Sequence, residues 1–480
     1  MVLTRVAAAL VALGLVVGGS AVLRHGSGDD EAEAAPATAA PGVGSPGIGD
    51  PYFPLDGNGG INVLSYAVHD RYRFGSHRLS GHTVVTLRTT QPLRTFDLDF
   101  LLPVSKVTLS TGRATFSRPG NHELRITARH RIPAGHRVQV TVRYAGKPGK
   151  YSYSGESNWV ANRSEAEAVN EPHMAPWWFP SNDHPLDKAR MDIQVTVPGD
   201  RQVVSNGRLV GVHRHAGLAT YHWGGGGPMA TYLAFFVAGR FQVRTGTSHH
   251  LPYYLAVSRA LPTSARHAAM RRLSRTPAIV HWLQGQLGPY AFRSTGGVVT
   301  SLDPGFSLEN QTRPVYPRGV FQLLMVHELA HQWFGDSVSV HHWRDVWLNE
   351  GFATYMEHRW TETHGGQSTS TWLHNTYDSE PSGFWDGVVS DPGSSIDELF
   401  SDSVVYQRGG MTLAALRNVI GKHTFAHLLR QWAADHRHGH GTTNAFEALA
   451  ENVSGQDLTS FFDTWVRQSG KPPATAENGL

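Results

Sequence analysis

Between Phe321 and Tyr355 the chain reads F-Q-L-L-M-V-H-E-L-A-H-Q-W-F-G-D and, further on, V-W-L-N-E-G-F-A-T-Y. This stretch limits what the whole can fold into. It places His327, Glu328 and His331 in the pattern H-E-x-x-H. On a helix, positions i and i+4 share one face, one turn apart. Two imidazoles stacked in that way reach a single zinc ion, and a Glu directly after the first His reaches a water on the metal's open side. Phe321, Leu324, Met325, Glu328, Ala330 and His331 recur at helical spacing, and Gly335 stands where a C-cap would end the run. Val326, Leu329 and Trp333 supply further apolar positions, so the helix is expected to be buried nearly all round. Glu350, on what reads as a second helix, offers the third protein ligand that a catalytic zinc needs beside its open position. The competing reading is a pair of buried, hydrogen-bonded histidines on a core helix. A buried His-Glu-His set without a metal is expensive to satisfy.

A chain of 480 residues has room for two or three domains. Net charge is +3, charged residues are 17%, and no Lys/Arg stripe is present, so no nucleic-acid partner is expected. The absence of Cys removes disulfides and thiolate metal ligands. Among the 28 His, the group His436, His438 and His440 reads as a solvated loop rather than a second metal site. Residues 1–23 carry one early Arg and then an apolar core, the plan of a signal peptide or, if uncleaved, a signal anchor. Residues 24–50, rich in Ala, Gly and Pro, read as a flexible linker. The protein is therefore expected to be exported, either secreted or tethered to the outer face of the cell membrane. Membrane contact is expected only through that leader, and the chain is expected to be a monomer.

Residues 51–244 read as an all-β domain. Runs such as Arg137–Arg143 and Asp192–Val197 alternate β-branched and polar residues between Gly, Pro and Asn clusters. Gly224 to Gly227 read as a hairpin turn. Helical periodicity dominates from 245 to 472, and 473–480 reads as a disordered tail. On residue physics alone, Glu171 in the Pro-rich loop from Asn170 to Pro185 is an ordinary solvated turn residue. Tyr406, opening a helix, is by the same measure a packing residue. Glu357 lies two helical turns beyond Glu350, either orienting a zinc histidine or pairing on the surface.

H-E-L-A-H-Q-W-F-G-D followed by W-L-N-E-G-F-A-T-Y closely resembles the gluzincin zinc aminopeptidases, the group of aminopeptidase N and leukotriene hydrolase. The resemblance covers roughly residues 50–472. It implies a multidomain α+β fold: an N-terminal antiparallel β-sandwich or saddle, then a thermolysin-like, mostly helical catalytic domain. The family's G-x-M-E-N motif corresponds to Phe306-Ser307-Leu308-Glu309-Asn310, with Phe306 for Gly and Leu308 for Met. The resemblance implies that Glu309, with Asn310, binds the substrate's free α-amine, and that Glu171 is a second contact to it. Val405-Tyr406-Gln407-Arg408-Gly409 resembles the family's Tyr-x-Lys-Gly, which makes Tyr406 the phenol beside the zinc. After Trp465 no room remains for the large helical domain of longer relatives, so a short exported form with a more open site is expected.

The implied activity is removal of the N-terminal residue from peptides, with one Zn2+ on His327, His331 and Glu350, and with Glu328 and Tyr406 as catalytic groups. Two alternatives stand beside it. One is an endopeptidase on the same core, against which Glu309 and Glu171 argue because an uncharged upstream chain leaves them unpartnered. The other is a catalytically inactive peptide-binding protein, which would require a broken ligand set.

Overall fold

The computed structural model describes residues 40–480. The leader over 1–23 and most of the linker lie outside the described residues. The β-rich part is built on a seven-stranded sheet. Its strand order is Arg208–His215, Leu218–Met229, Ala189–Pro198, Ile61–Arg73, Arg78–Thr89, Arg137–Gly146, Val104–Leu109. Pairing is antiparallel except where Ile61–Arg73 runs parallel to Ala189–Pro198. The sequence alternation is realised directly: in Arg137–Gly146, Val138, Val140, Val142 and Tyr144 point into the core while Arg137, Gln139 and Arg143 face solvent. Leu93–Asp99, Glu123–Ile132 and Ala114–Ser117 form a three-stranded sheet. Gln202–Ser205, Phe236–Gly239, Ala166–Ala168 and Trp159–Ala161 form a four-stranded one.

A second four-stranded sheet begins the other half, in the order Phe241–Ser248, Leu251–Ser258, Thr295–Thr300, Val315–Pro317. Leu251–Ser258 and Thr295–Thr300 run parallel, with helices α1 (Thr263–Leu273) and α2 (Thr276–Leu287) in the crossover. Helices α3 (Gln322–Ala330) and α4 (Trp347–Thr363) follow, then further helices to Phe462. No described helix is long and apolar enough to cross a membrane.

Several expectations change here. The sheet that carries the helical half starts at Phe241, so a boundary at 244/245 cuts through a strand, and the structural change falls near Arg240. The last part of the linker is packed: Gly44 donates to the Thr95 carbonyl at 2.9 Å, and Asp50, 2% exposed, accepts from the Phe53 and Trp343 amides. Gly44 serves close backbone approach rather than flexibility, since a Cβ there would sit 2.4 Å from the Gly59 carbonyl oxygen. The C-terminal tail is likewise docked. Trp465 Nε1 donates to the Asn478 carbonyl at 3.1 Å and Asn418 Nδ2 to that of Gly479 at 2.9 Å. Gly224 to Gly227 are not a hairpin turn but lie within the strand Leu218–Met229, which has an irregular register opposite Arg190 and Asp192. His440 is not in a solvated loop: it pairs with Ser339 and its Nε2 lies 2.9 Å from the Pro185 carbonyl, which docks this turn on the Pro-rich loop.

Candidate active site and metal centre

Helix α3 carries His327 and Glu328 on its last turn, and His331 is its C-cap residue. The helix therefore ends before Gly335. That glycine, at φ 127°, turns the chain back so that the Phe334 carbonyl meets His331 Nδ1 at 3.0 Å. A Cβ at Gly335 would lie 3.3 Å from that nitrogen. The helix is also less enclosed than its periodicity implies. Phe321 is 60% and Leu323 41% exposed at its start, while everything from Met325 to Ala330 is buried. Helix α4 packs beside α3 and presents Glu350 in its first turn.

Glu350 Oε2 lies 3.1 Å from His327 Nε2 and 3.3 Å from His331 Nε2. The other ring nitrogens are already committed. His327 Nδ1 faces Glu357 Oε1 at 2.8 Å, and His331 Nδ1 faces the Phe334 carbonyl. Both partners accept only, so each Nδ1 donates, and in the neutral rings each Nε2 carries a lone pair. Two lone pairs and a carboxylate then converge on one point, an arrangement that calls for a cation. The electrostatics agree. Burial alone would lower His327, but Glu350 and Glu357 hold it well above its ordinary value. Burial would raise Glu350, but the imidazoles draw it down to about 2. The three side chains are a tight donor set of two imidazoles and one carboxylate, the chemistry of a catalytic zinc. Glu357 supports it from behind, which answers the ambiguity left at that residue.

Around this set stand the other expected residues. Burial pushes Glu328 up to about 8, with Glu309 and Glu350 adding to it against the two imidazoles. Tyr406 sits in a π-helical turn, Asp402–Arg408, a form frequent at functional sites. Its ring stacks on His327 at 5.8 Å, and burial with Glu350 nearby keeps the phenol protonated. Glu309, 2% exposed, accepts from the Tyr232 hydroxyl at 3.1 Å. Glu171 is half-buried with Oε1 unpartnered, and burial, Glu309, Glu350 and Glu328 together raise it well above the carboxylate range. It is thus no solvated turn residue. Asn310 is fully buried, donating to the Leu233 carbonyl at 3.1 Å, so it braces the segment from inside. Of the two departures from G-x-M-E-N, Leu308 is buried and pairs its backbone with Val315, while Phe306 is 36% exposed.

Two residues escaped the sequence reading. Gln332, next to His331, donates to the Glu309 carbonyl at 2.7 Å and accepts from the Thr312 amide at 2.7 Å, tying the Glu309 segment to the zinc helix. Its position inside the motif was the available signal. Tyr232 comes from a short turn in the β-rich half, and nothing local in T-Y-L marks it.

The chain matches the Peptidase M1 N-terminal domain over residues 77–233 and the Peptidase family M1 domain over 308–465. It is 27% identical over 354 residues to aminopeptidase M1-C of Oryza sativa subsp. japonica, covering 67% of this chain and 38% of that protein. It is 28% identical over 369 residues to aminopeptidase N of Lactococcus lactis subsp. cremoris, covering 69% and 41%. The chain thus spans about two-fifths of the length of these relatives. An M1 zinc metallopeptidase from Deinococcus radiodurans superposes with a TM-score of 0.80 at 26% identity, covering 89% of this chain and 98% of the other. A variant of that enzyme with a Tyr-Ser-Ala substrate matches at 25% identity, covering 90% and 100%. With both domains matched in order, and with a buried donor set suited to a single zinc between α3 and α4, the chain belongs to peptidase family M1.

Proposed function

We propose that the protein is a zinc-dependent aminopeptidase that removes the N-terminal residue from peptides. The observation that carries this is a charge count. Glu171, Glu309 and Glu328 crowd one site with Glu350; burial and their like charges raise the proton affinity of these three, while the imidazoles hold Glu350 ionised. Burial favours a proton on Glu328, and once an ammonium faces Glu171 and Glu309 these ionise beside Glu350, giving three negative charges beside neutral imidazoles. One divalent ion and one substrate ammonium neutralise them. An acetylated or internal peptide brings no ammonium and leaves Glu309 and Glu171 desolvated without a partner. The aminopeptidase names of the relatives support the same reading.

Zinc on His327, His331 and Glu350 would supply a Lewis acid that acidifies water and polarises a carbonyl. Glu328 takes a proton from the attacking water and returns it to the leaving amine, a task for which an elevated carboxylate is suited. The protonated Tyr406 hydroxyl donates to the oxygen that gains negative charge. Glu309, held by Tyr232, and Glu171 grip the α-ammonium and fix the register at one residue. The apolar leader supports export. Mass spectrometry of the cell-surface and culture-medium fractions tests that part.

The deciding experiment compares an amino-acid anilide with its N-acetylated form, with and without chelator, in wild type, Glu309→Ala and Glu328→Gln. Cleavage confined to the free amine, lost on chelation and in both variants, is expected. Equal cleavage of the acetylated form identifies an endopeptidase. No cleavage of either by zinc-loaded protein leaves a binding protein.

A further inference from the structure

The β-rich half holds a second constellation. Asp99 ends one strand and Glu123 begins its neighbour, and the antiparallel register sets them directly opposite. Like charges so placed repel. Both are buried, at 1% and 6% exposure, and His122 beside them is 5% exposed. One ligand atom from each of Asp99, His122 and Glu123 lies within 4.8 Å of the others. His122 Nε2 is 3.3 Å from Glu123 Oε1, 3.6 Å from Asp99 Oδ1 and 3.3 Å from the Leu55 carbonyl oxygen. Three acceptors therefore surround a nitrogen that can carry one proton.

The carboxylates have little else. Asp99 Oδ2 accepts from the Asp183 amide at 2.7 Å and Asn58 Nδ2 at 3.4 Å, but Asp99 Oδ1 and both Glu123 oxygens have no donor. The neighbouring guanidiniums are turned elsewhere: Arg118 to the Phe100, Leu102 and Asn121 carbonyls, Arg125 to Asp97. Among the described residues, His122 is the only basic side chain paired with either carboxylate, and burial lowers its proton affinity. A buried pair of opposed carboxylates with three unpartnered oxygens is costly unless a cation sits among them.

We propose that Asp99, His122 and Glu123, with the Leu55 carbonyl, form a second site for a divalent cation, separate from the catalytic one. One imidazole with three oxygens suits Mn2+ or Zn2+ better than an all-oxygen ion such as Ca2+. The site is structural. It joins the Leu55 segment, which leads out of the packed end of the linker, to two strands of the small sheet. The Asp99 backbone also pairs with Ser181 on the Glu171-bearing loop, so the ion braces the region from which the amine contact projects.

The test uses the full chain, stripped with chelator and titrated with Mn2+ and, separately, Zn2+. Bound ion is counted by elemental analysis, and melting is followed. Wild type is expected to bind two ions per chain. The His327→Ala/His331→Ala variant is expected to keep one and still to melt a few degrees higher when it is bound. Adding Glu123→Gln should abolish that last ion and its stabilising effect. The ion-free Glu123→Gln chain should melt no lower than ion-free wild type, because a like-charge pair is gone. Glu123→Gln alone should retain one ion, the one held by His327, His331 and Glu350. A His327→Ala/His331→Ala chain that binds no ion, or whose ion survives Glu123→Gln, overturns the proposal. The former outcome leaves the aminopeptidase reading intact, because that reading is tested on a different substrate assay.

Discussion

Each residue at the centre is defined by which of its atoms are already occupied. His327 and His331 spend Nδ1 on Glu357 and Phe334, which leaves Nε2 free for an ion. Glu357→Gln is therefore expected to weaken zinc binding about 10- to 100-fold, measured by competition with a chromogenic chelator. Glu328→Gln should leave zinc content unchanged while kcat falls about 10²- to 10⁴-fold, since only the proton carrier is lost. A parallel loss of metal would show instead that Glu328 helps hold the ion. The ligand pair and Glu328 were legible from spacing alone, because the helical repeat dictates which side chains share a face. Glu171 was not: on its own it reads as a turn residue, and only enclosure by Glu309, Glu328 and Glu350 distinguishes it.

At the scale of elements, the site depends on two helices touching along glycines. Gly351 of α4 faces Gly409, directly after the π-helical turn that holds Tyr406, and a Cβ on Gly351 would lie 2.8 Å from the Gly409 carbonyl carbon. Gly351→Ala is expected to cost about 1–3 kcal/mol of stability by overpacking. It should also lower kcat with zinc retained, because the turn carrying Tyr406 must shift. Unchanged kcat in a folded variant would separate Tyr406 from the chemistry. Strands with clean alternation were readable one by one. The Gly224 to Gly227 run was not, since glycine serves equally in a turn and in an irregular strand, and only the partner Ala189–Pro198 decides which.

Across the whole molecule, a buried acid on the approach to the strand Ala166–Ala168 links the two halves. Glu165 Oε2 accepts from the Ser301 amide at 2.8 Å, linking the β-rich half to the segment leading to Glu309. Glu167 beside it is 0% exposed with neither oxygen partnered. Burial pushes it up to about 8 from an ordinary 4.5, with Glu165 and Asp303 adding to the rise. Between those values the folded chain keeps a proton that the unfolded chain has released, so stability falls as pH rises, by up to about 1.4 kcal/mol per unit. Glu167→Gln should therefore melt above wild type by a margin that widens from pH 4.5 to pH 8. A margin independent of pH would show that Glu167 is ionised in the fold throughout. By itself the sequence determined whatever depends on neighbours along the chain: the strand alternation, the paired histidines with Glu328 between them, and the apolar helix that bears them. Tertiary structure alone decided that Glu309, Glu171, Tyr232 and Gln332, drawn from both halves, face one another. It also decided that the linker end and the tail are docked and that Asp99 meets Glu123. Local pattern reports which side of an element a residue faces, but what it faces there is set by the packing of segments far apart in the chain.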